Sequence, residues 1–307
     1  MSWDASQIPD QSGRTILVTG ANSGLGLVSA RELARAGATV VLTARDQAKG
    51  ASAVAEIRES IPNARLEPRV LDLADLASVR ELAAAVAADH ERLDVLINNA
   101  GVMMTPKSAT ADGFELQFGT NHLGHFALTG LLLGHLGGSD PRVVTVSSIE
   151  HRPGKIDFAD LAWEHDYGPR PAYQRSKLAN AAFGIELDRR LRAAGSPVKS
   201  LLAHPGYSAT NLQTSGPTGP MNLILRVGNA LLAQSADAGA RPELFAATAP
   251  DVEGGAFYGP DGFNEMRGSP KLVQATSRAN DPELGRRLWE VSEELTGVAF
   301  GLAPAAS

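Results

Sequence analysis

A short apolar run, Thr15-Ile16-Leu17-Val18-Thr19, leads straight into the turn Gly20-Ala21-Asn22-Ser23-Gly24-Leu25-Gly26, and a segment rich in Ala, Leu, Arg and Glu follows as far as Gly37. Aliphatic residues bounded by glycine read as a buried strand. Residues 25–36 read as a helix that stops at a glycine. Strand, glycine turn and helix in that order constrain the fold more than any other feature of the chain. A helix N-terminus aims free N–H groups and positive dipole out of such a turn, and glycines let a ligand approach the backbone. Gly20, Asn22, Ser23, Gly24, Leu25 and Gly26 therefore read as a cradle for a pyrophosphate. A glycine triplet alone is often only a backbone requirement; its placement directly after a strand is what favours binding.

The alternation continues. Residues 39–43, 65–71, 93–97, 142–146 and 198–203 read as strands, and 47–60, 76–90, 112–136 and 172–194 as helices. Strands separated by helices need crossover connections, which are right-handed and place helices on both faces of a parallel sheet. With a short strand at 255–258, the expectation is an α/β Rossmann fold: a doubly wound parallel sheet of about seven strands in a single domain over residues 1–307. No break in composition divides the chain. A polar stretch at 149–171, rich in Pro, Gly and His, reads as an insert. Beyond 205 the pattern changes: turn-rich 214–220 precedes an amphipathic stretch at 221–233, and residues 211–250 are expected to form a lid over a substrate. A helix at 282–296 closes the pattern.

Composition removes several classes of function. A net charge of -6 with 20% charged residues provides no basic excess for a nucleic-acid backbone, so no nucleic-acid partner is expected. The absence of cysteine excludes disulfides, thiolate metal sites and cysteine nucleophiles. His122 and His125 lie close enough to share a helix face, but no third ligand stands at a metal-binding interval, so packing and hydrogen bonding are expected of them and no metal. Asp157, Asp160, Glu164 and Asp166 in the insert read as a solvated loop, with Trp163 and Tyr167 either covering a substrate or anchoring that loop. The apolar stretches 126–136 and 221–233 fall short of the roughly 20 residues of a membrane span. With no basic start or apolar signal core at Met1-Ser2-Trp3-Asp4, a cytoplasmic location is expected.

Four further residues carry chemistry. After the second strand, where dinucleotide-binding folds place a carboxylate on the adenosine ribose, stands Ala44-Arg45. An arginine there pairs with a 2′-phosphate through a planar fork, which favours NADP(H) over NAD(H), although a solvated arginine at a helix start is the alternative. Asp46 reads as the N-cap of the following helix. Tyr173 and Lys177 are four residues apart on a helix and share a face. A free tyrosine ionises at about pH 10, so a neighbouring cation is needed to bring it toward neutrality. Ser148, at the end of a strand, can hydrogen-bond a substrate oxygen.

Thr19 to Gly26, Asn98-Asn99-Ala100-Gly101, Asn121, Val146-Ser147-Ser148 and Tyr173-x-x-x-Lys177 together resemble the ordered motifs of the short-chain dehydrogenases/reductases, and the resemblance covers nearly the whole chain. It implies a tetrad of Asn121, Ser148, Tyr173 and Lys177: Tyr173 as general acid/base, Ser148, rather than Ser147, orienting the carbonyl, Lys177 lowering the tyrosine pKa and binding ribose, and Asn121 holding a relay water. It also implies that Asp72 and Leu73 meet the adenine, that Asn99, Ala100 and Gly101 flank the cofactor, and that Pro205, Gly206 and Thr210 line the nicotinamide end. Dimers or tetramers through the helices of Asn121 and Tyr173 are implied as well. Ser148 and Tyr173 stand 25 residues apart, about twice the spacing of many members, which is why 149–171 reads as an insert. Asn121-His122-Leu123-Gly124-His125-Phe126, the Ser147 to His151 run and His204-Pro205-Gly206 resemble the retinol dehydrogenase-like branch, and Val41 to Asp46 resembles NADPH-dependent carbonyl reductases.

The reading is an NADP(H)-dependent oxidoreductase transferring hydride between the nicotinamide and the carbonyl carbon of an aldehyde or ketone, or the corresponding alcohol, with a lipophilic small-molecule substrate expected. The apolar residues Met221, Leu223, Ile224, Leu225, Val227, Leu231 and Leu232 either line a lipophilic pocket or cover their own core. The rival is an NADP(H)-binding regulatory or sensor protein on the same fold. Its signature is loss of the tyrosine or the lysine, and both are present.

Overall fold

The computed structural model describes residues 3–207 and 234–302. Thr210 and residues 211–233 of the expected lid lie outside the described residues.

Among these residues the strands β1 (Thr15–Val18), β2 (Thr39–Ala44), β3 (Arg65–Val70), β4 (Val95–Asn98), β5 (Arg142–Val146), β6 (Lys199–Ala203), β7 (Phe257–Pro260) and β8 (Pro270–Val273) form one sheet. Their order is β3-β2-β1-β4-β5-β6-β7-β8. The central strands are buried on both faces, which is why they read as continuous aliphatic runs. Side chains alternate between the two layers, as the two-residue period of a strand requires. Ile16 and Val18 pack with Leu33 of α1 (Gly24–Arg35) and Leu244 of α7 (Ala236–Thr248). Leu17 packs on the opposite side with Val79 of α3 (Leu76–Asp89) and with Phe126, Phe183 and Trp289. Phe126 belongs to α5 (Gly124–Leu132), Phe183 to α6 (Pro169–Ala193) and Trp289 to α8 (Pro282–Thr296).

β1 pairs with β2 on one side and β4 on the other. The chain winds outward in opposite directions from that pair, and the loops leaving the two strands part at their C-terminal ends. Such a crevice is where open α/β sheets bind their ligands.

Three expectations are corrected. An eighth strand, β8, pairs antiparallel with β7, so the sheet is parallel only as far as β7. The described part of the expected lid, α7, is no lid: Ala240, Leu244, Ala246 and Ala247 are fully buried, and the helix packs on α1 and the sheet. The helix expected from 112 begins at Leu116, because Gly113 (φ +86°) turns the chain and the Glu115 carboxylate accepts the amides of Gln117 and Phe118. Its first turn, α4 (Leu116–Phe118), runs into a π turn, Gly119–Leu123, before α5. Such turns often mark functional positions, and this one carries Asn121. No helix of the described residues is long and apolar enough to cross a membrane.

Candidate active site

The crevice is a cleft of about 1190 Å³. Every described residue assigned to a cofactor contact from the sequence lines it: Gly20, Asn22, Ser23, Gly24, Leu25, Gly26, Arg45, Asp72, Leu73, Asn99, Ala100, Gly101, Tyr173, Lys177, Pro205 and Gly206.

At one end lies the glycine turn. Gly20 has φ +65°, and a Cβ there would lie 2.8 Å from the Ala100 Cβ. A Cβ on Gly26 would lie 2.5 Å from Asn99 Nδ2, so both positions need glycine to close the turn against the β4 loop. Helix α1 starts at Gly24, and its N-cap Ser23 supplies no side-chain cap. Elsewhere Asp46 caps α2 (Gln47–Ser60), Asp75 caps α3, Ser235 caps α7 and Asp281 caps α8, each through its own side chain. The α1 amides are thus left to a ligand in the cleft, and a pyrophosphate has the charge and acceptors they need.

Arg45 is exposed on the cleft wall, and Lys49, which the sequence reading passed over, lines the same wall. The adjacent Asp46 is committed elsewhere: it accepts the Lys49 amide at 2.8 Å and pairs with Lys49 Nζ at 2.8 Å, the capping role expected of it.

Behind the turn runs a buried hydrogen-bond chain that sequence reasoning missed. The Thr19 hydroxyl accepts the amides of Asn99 (2.9 Å) and Ala100 (3.0 Å). With both lone pairs committed, its own hydrogen goes to His125 Nε2 at 2.9 Å, with the Ile97 carbonyl a more distant acceptor at 3.3 Å. His125 Nδ1–H then donates to the Asn121 carbonyl at 2.9 Å. Burial holds His125 down to about 4, so the ring is neutral, as this tautomer requires. His122 bonds Ser292 at 2.9 Å and packs among Phe118, Phe126 and Phe183; both histidines take the packing and hydrogen-bonding roles expected of them. Among the described residues no metal-binding cluster occurs.

At the centre of the cleft the tetrad positions converge. The Ser148 side chain lies beside the Tyr173 hydroxyl and pulls its pKa down. Lys177 Nζ donates to the Val146 carbonyl at 3.0 Å and sits 5.8 Å from the Tyr173 ring centroid. Ser147 is turned away from Tyr173 and donates to the Lys177 carbonyl at 2.8 Å. The Asn121 side chain accepts the Val102 amide (2.7 Å) and donates to the Val102 carbonyl (2.9 Å) and to Ser176 (2.9 Å). It thereby fixes the strip of backbone beside Lys177. The electrostatics differ from expectation: burial pushes the Tyr173 phenol up to about 12, against the pull of Ser148, and Glu150 adds to the rise. Burial brings Lys177 down to about 8, and Glu243 opposes that fall. In this structure Tyr173 is a proton-bearing phenol beside a cation.

Glu243 on α7 is a further group without a sequence signal. It is 2% exposed, accepts the Ser29 hydroxyl, and burial raises it to about 7. A folded pKa above the ordinary 4.5 means that stability is greatest below pH 4.5 and is lost as pH climbs to 7. The loss amounts to about 3 kcal/mol. Glu243→Gln, which keeps a polar partner for Ser29, is expected to melt higher than the parent at pH 8 and nearly equally at pH 4.5. Melting curves at the two pH values check the sign.

The far end of the cleft is lined by Met103, Met104, Thr105, Pro106, Leu116, Ile149, Glu150 and Tyr207. Gly206 has φ +65°, and a Cβ there would lie 2.4 Å from the Met266 carbonyl, so the turn carrying Pro205 and Gly206 abuts the loop before β8.

A doubly wound sheet with an uncapped phosphate turn and a tyrosine-lysine pair at its switch point defines a dinucleotide-dependent oxidoreductase class. Sequence comparison narrows the class: the chain belongs to the short chain dehydrogenase family, whose profile matches residues 14–219. It is similar to human retinol dehydrogenase 13, with 43% identity over 294 residues, 93% of this chain and 85% of that protein. Mouse polyprenol dehydrogenase is 42% identical over 304 residues, 96% of this chain and 87% of that one. Among solved structures, an uncharacterized protein from Mycobacterium Paratuberculosis superposes with a TM-score of 0.83 at 47% identity, covering 98% of this chain and all of that one. The chain is an oxidoreductase of the retinol dehydrogenase-like kind, acting on CH–OH groups.

Proposed function

We propose that the protein is an NADP(H)-dependent carbonyl reductase and alcohol dehydrogenase for lipophilic substrates, with Tyr173 as its proton donor and acceptor. The observation that carries the reading is that Tyr173, Ser148 and Lys177 line the same cleft as the uncapped turn, with Lys177 Nζ 5.8 Å from the Tyr173 ring centroid. When bound, the nicotinamide supplies the hydride to the carbonyl carbon or takes it from the alcohol carbon. The chain's own residues do the rest. Ser148 orients the substrate oxygen, and Tyr173 passes its proton to that oxygen as the carbon–oxygen π pair is released; in the oxidative direction the proton returns. Lys177 places positive charge where the phenolate forms. Asn121 holds the backbone beside Lys177, and the assignment of a relay water to its side belongs to the same proposal.

Arg45 and Lys49 on the wall, with Asp46 occupied as a cap, support NADP(H) over NAD(H). The two methionines and Ile149 at the far end support an apolar substrate, and the names of the relatives, retinol and polyprenol dehydrogenases, point to lipophilic alcohols. The test is oxidation of NADPH and NADH with short and long aldehydes and ketones. Turnover with NADPH on long-chain carbonyls is expected; no oxidation of either cofactor across the panel would sink the reading. Arg45→Ala is expected to raise the KM for NADPH about tenfold or more, the scale of a lost charge-assisted contact, and to leave NADH nearly unaffected. Equal effects on both cofactors would assign Arg45 to the solvated surface instead.

A further inference from the structure

We propose that the insert between Ser148 and Tyr173 is a substrate-selecting clamp: through Tyr167 and Gln117 it fixes the backbone of the methionine wall at the far end of the cleft. The inference rests on the reading of that end as the substrate pocket.

The key position is Met104, a non-glycine residue at φ +51° in the cleft lining. Left-handed backbone of this kind is strained for a side chain of this size and persists only where its surroundings hold it. What holds it is Gln117, fully buried on α4, whose Oε1 accepts the Met104 amide at 2.8 Å. Gln117 Nε2 donates to two groups of the insert, the Tyr167 hydroxyl (2.9 Å) and the Pro169 carbonyl (2.9 Å). Tyr167 in turn donates to the Thr105 carbonyl at 2.9 Å. Two consecutive residues of the wall, Met104 and Thr105, are thus tied to the insert by a closed set of bonds, with every hydrogen of the Gln117 amide used.

The insert is itself anchored to the helices that carry the chemistry. Arg175, 1% exposed on α6 two residues after Tyr173, donates to the carbonyls of Asp160 (2.9 Å) and Leu161 (2.9 Å). Its guanidinium pairs with Glu115 at 3.3 Å and lies over the Trp163 ring at 4.4 Å and the Phe118 ring at 5.3 Å. Trp163 therefore holds the loop, whereas the Tyr167 hydroxyl reaches the wall.

Tyr167→Phe keeps the ring and removes the bonds to Gln117 and Thr105, together with a longer one to Glu115 at 3.4 Å. Hydrogen exchange of residues 103–106 is expected to quicken at least about tenfold in the variant. The KM for a long-chain aldehyde is expected to rise about tenfold, with kcat at saturation within twofold of the parent and no change in the dissociation constant for NADPH. Unchanged exchange at 103–106 would overturn the clamp. Faster exchange with an unchanged ratio of KM values for long and short aldehydes would overturn its selecting role. A parent enzyme inactive on every lipophilic carbonyl removes the substrate reading and the selecting role with it, while the exchange measurement separately decides whether Tyr167 holds the wall.

Discussion

Tyr173→Phe is expected to lower kcat by about a thousandfold and to leave NADPH binding close to that of the parent. A positioned general acid contributes about 10²- to 10⁴-fold, and the middle of that range corresponds to ~4 kcal/mol of barrier. Phenylalanine fills the same buried space, so the fold has no reason to respond; the lost group is the hydroxyl that Ser148 meets. Pre-steady-state mixing separates the terms, with cofactor fluorescence reporting binding and absorbance reporting turnover. Full activity in the variant would remove Tyr173 from the chemistry. Because burial holds the phenol near 12, the parent's reductive rate is expected to stay flat from pH 6 to 7.5. It should fall only as Lys177 loses its charge around pH 8.

The second large effect is on stability. Arg142→Met is expected to cost about 3 to 5 kcal/mol, which for a chain of this size lowers Tm by on the order of 10 °C. Replacing a buried ion pair with apolar residues is often neutral, so the size of the effect depends on what the arginine leaves behind. Here it leaves carbonyls. Arg142, 1% exposed on β5, donates to the Ala246 carbonyl at 2.8 Å and the Ala249 carbonyl at 2.7 Å, both at the C-terminal end of α7. Those oxygens belong to buried residues and would have no replacement donor. Asp140, by contrast, keeps Lys199 at 3.0 Å, so the ion pair is the smaller part of the loss. Calorimetry on the parent, Arg142→Met and Arg142→Lys orders the contributions; a change below about 1 kcal/mol for Met would show that the carbonyls find water.

What was legible in the chain follows the reach of each interaction. The glycine turn, the Asp46 cap and the Tyr173 to Lys177 spacing act within a few residues, and the structure places each as read. β8 escaped notice because Pro270-Lys271-Leu272-Val273 has little apolar pattern and exists only by pairing with β7. Helix α7 reads as a lid in sequence because its burial depends on Ser29 and Arg142, which lie far away in the chain. The rise of the Tyr173 pKa had the same cause: charge spacing is written in the sequence, but desolvation is a property of the assembled cleft. Gln117 and Tyr167 carried no motif at all, since an amide that bonds a backbone has no characteristic neighbours in the chain.

The chain from Thr19 through His125 to Asn121 has one more consequence. Two amides fill the threonine oxygen, the threonine hydrogen goes to one imidazole nitrogen with the Ile97 carbonyl as a second acceptor at 3.3 Å, and the single imidazole hydrogen is held by a carbonyl. Reversing it would require Thr19 to accept a third hydrogen, and with burial holding His125 near 4 the ring has no spare proton to release. Both ends are backbone groups, amides that release no proton and a carbonyl that passes none on, so the chain conducts nothing. The rear wall of the crevice is therefore an insulator: no proton crosses it along this chain.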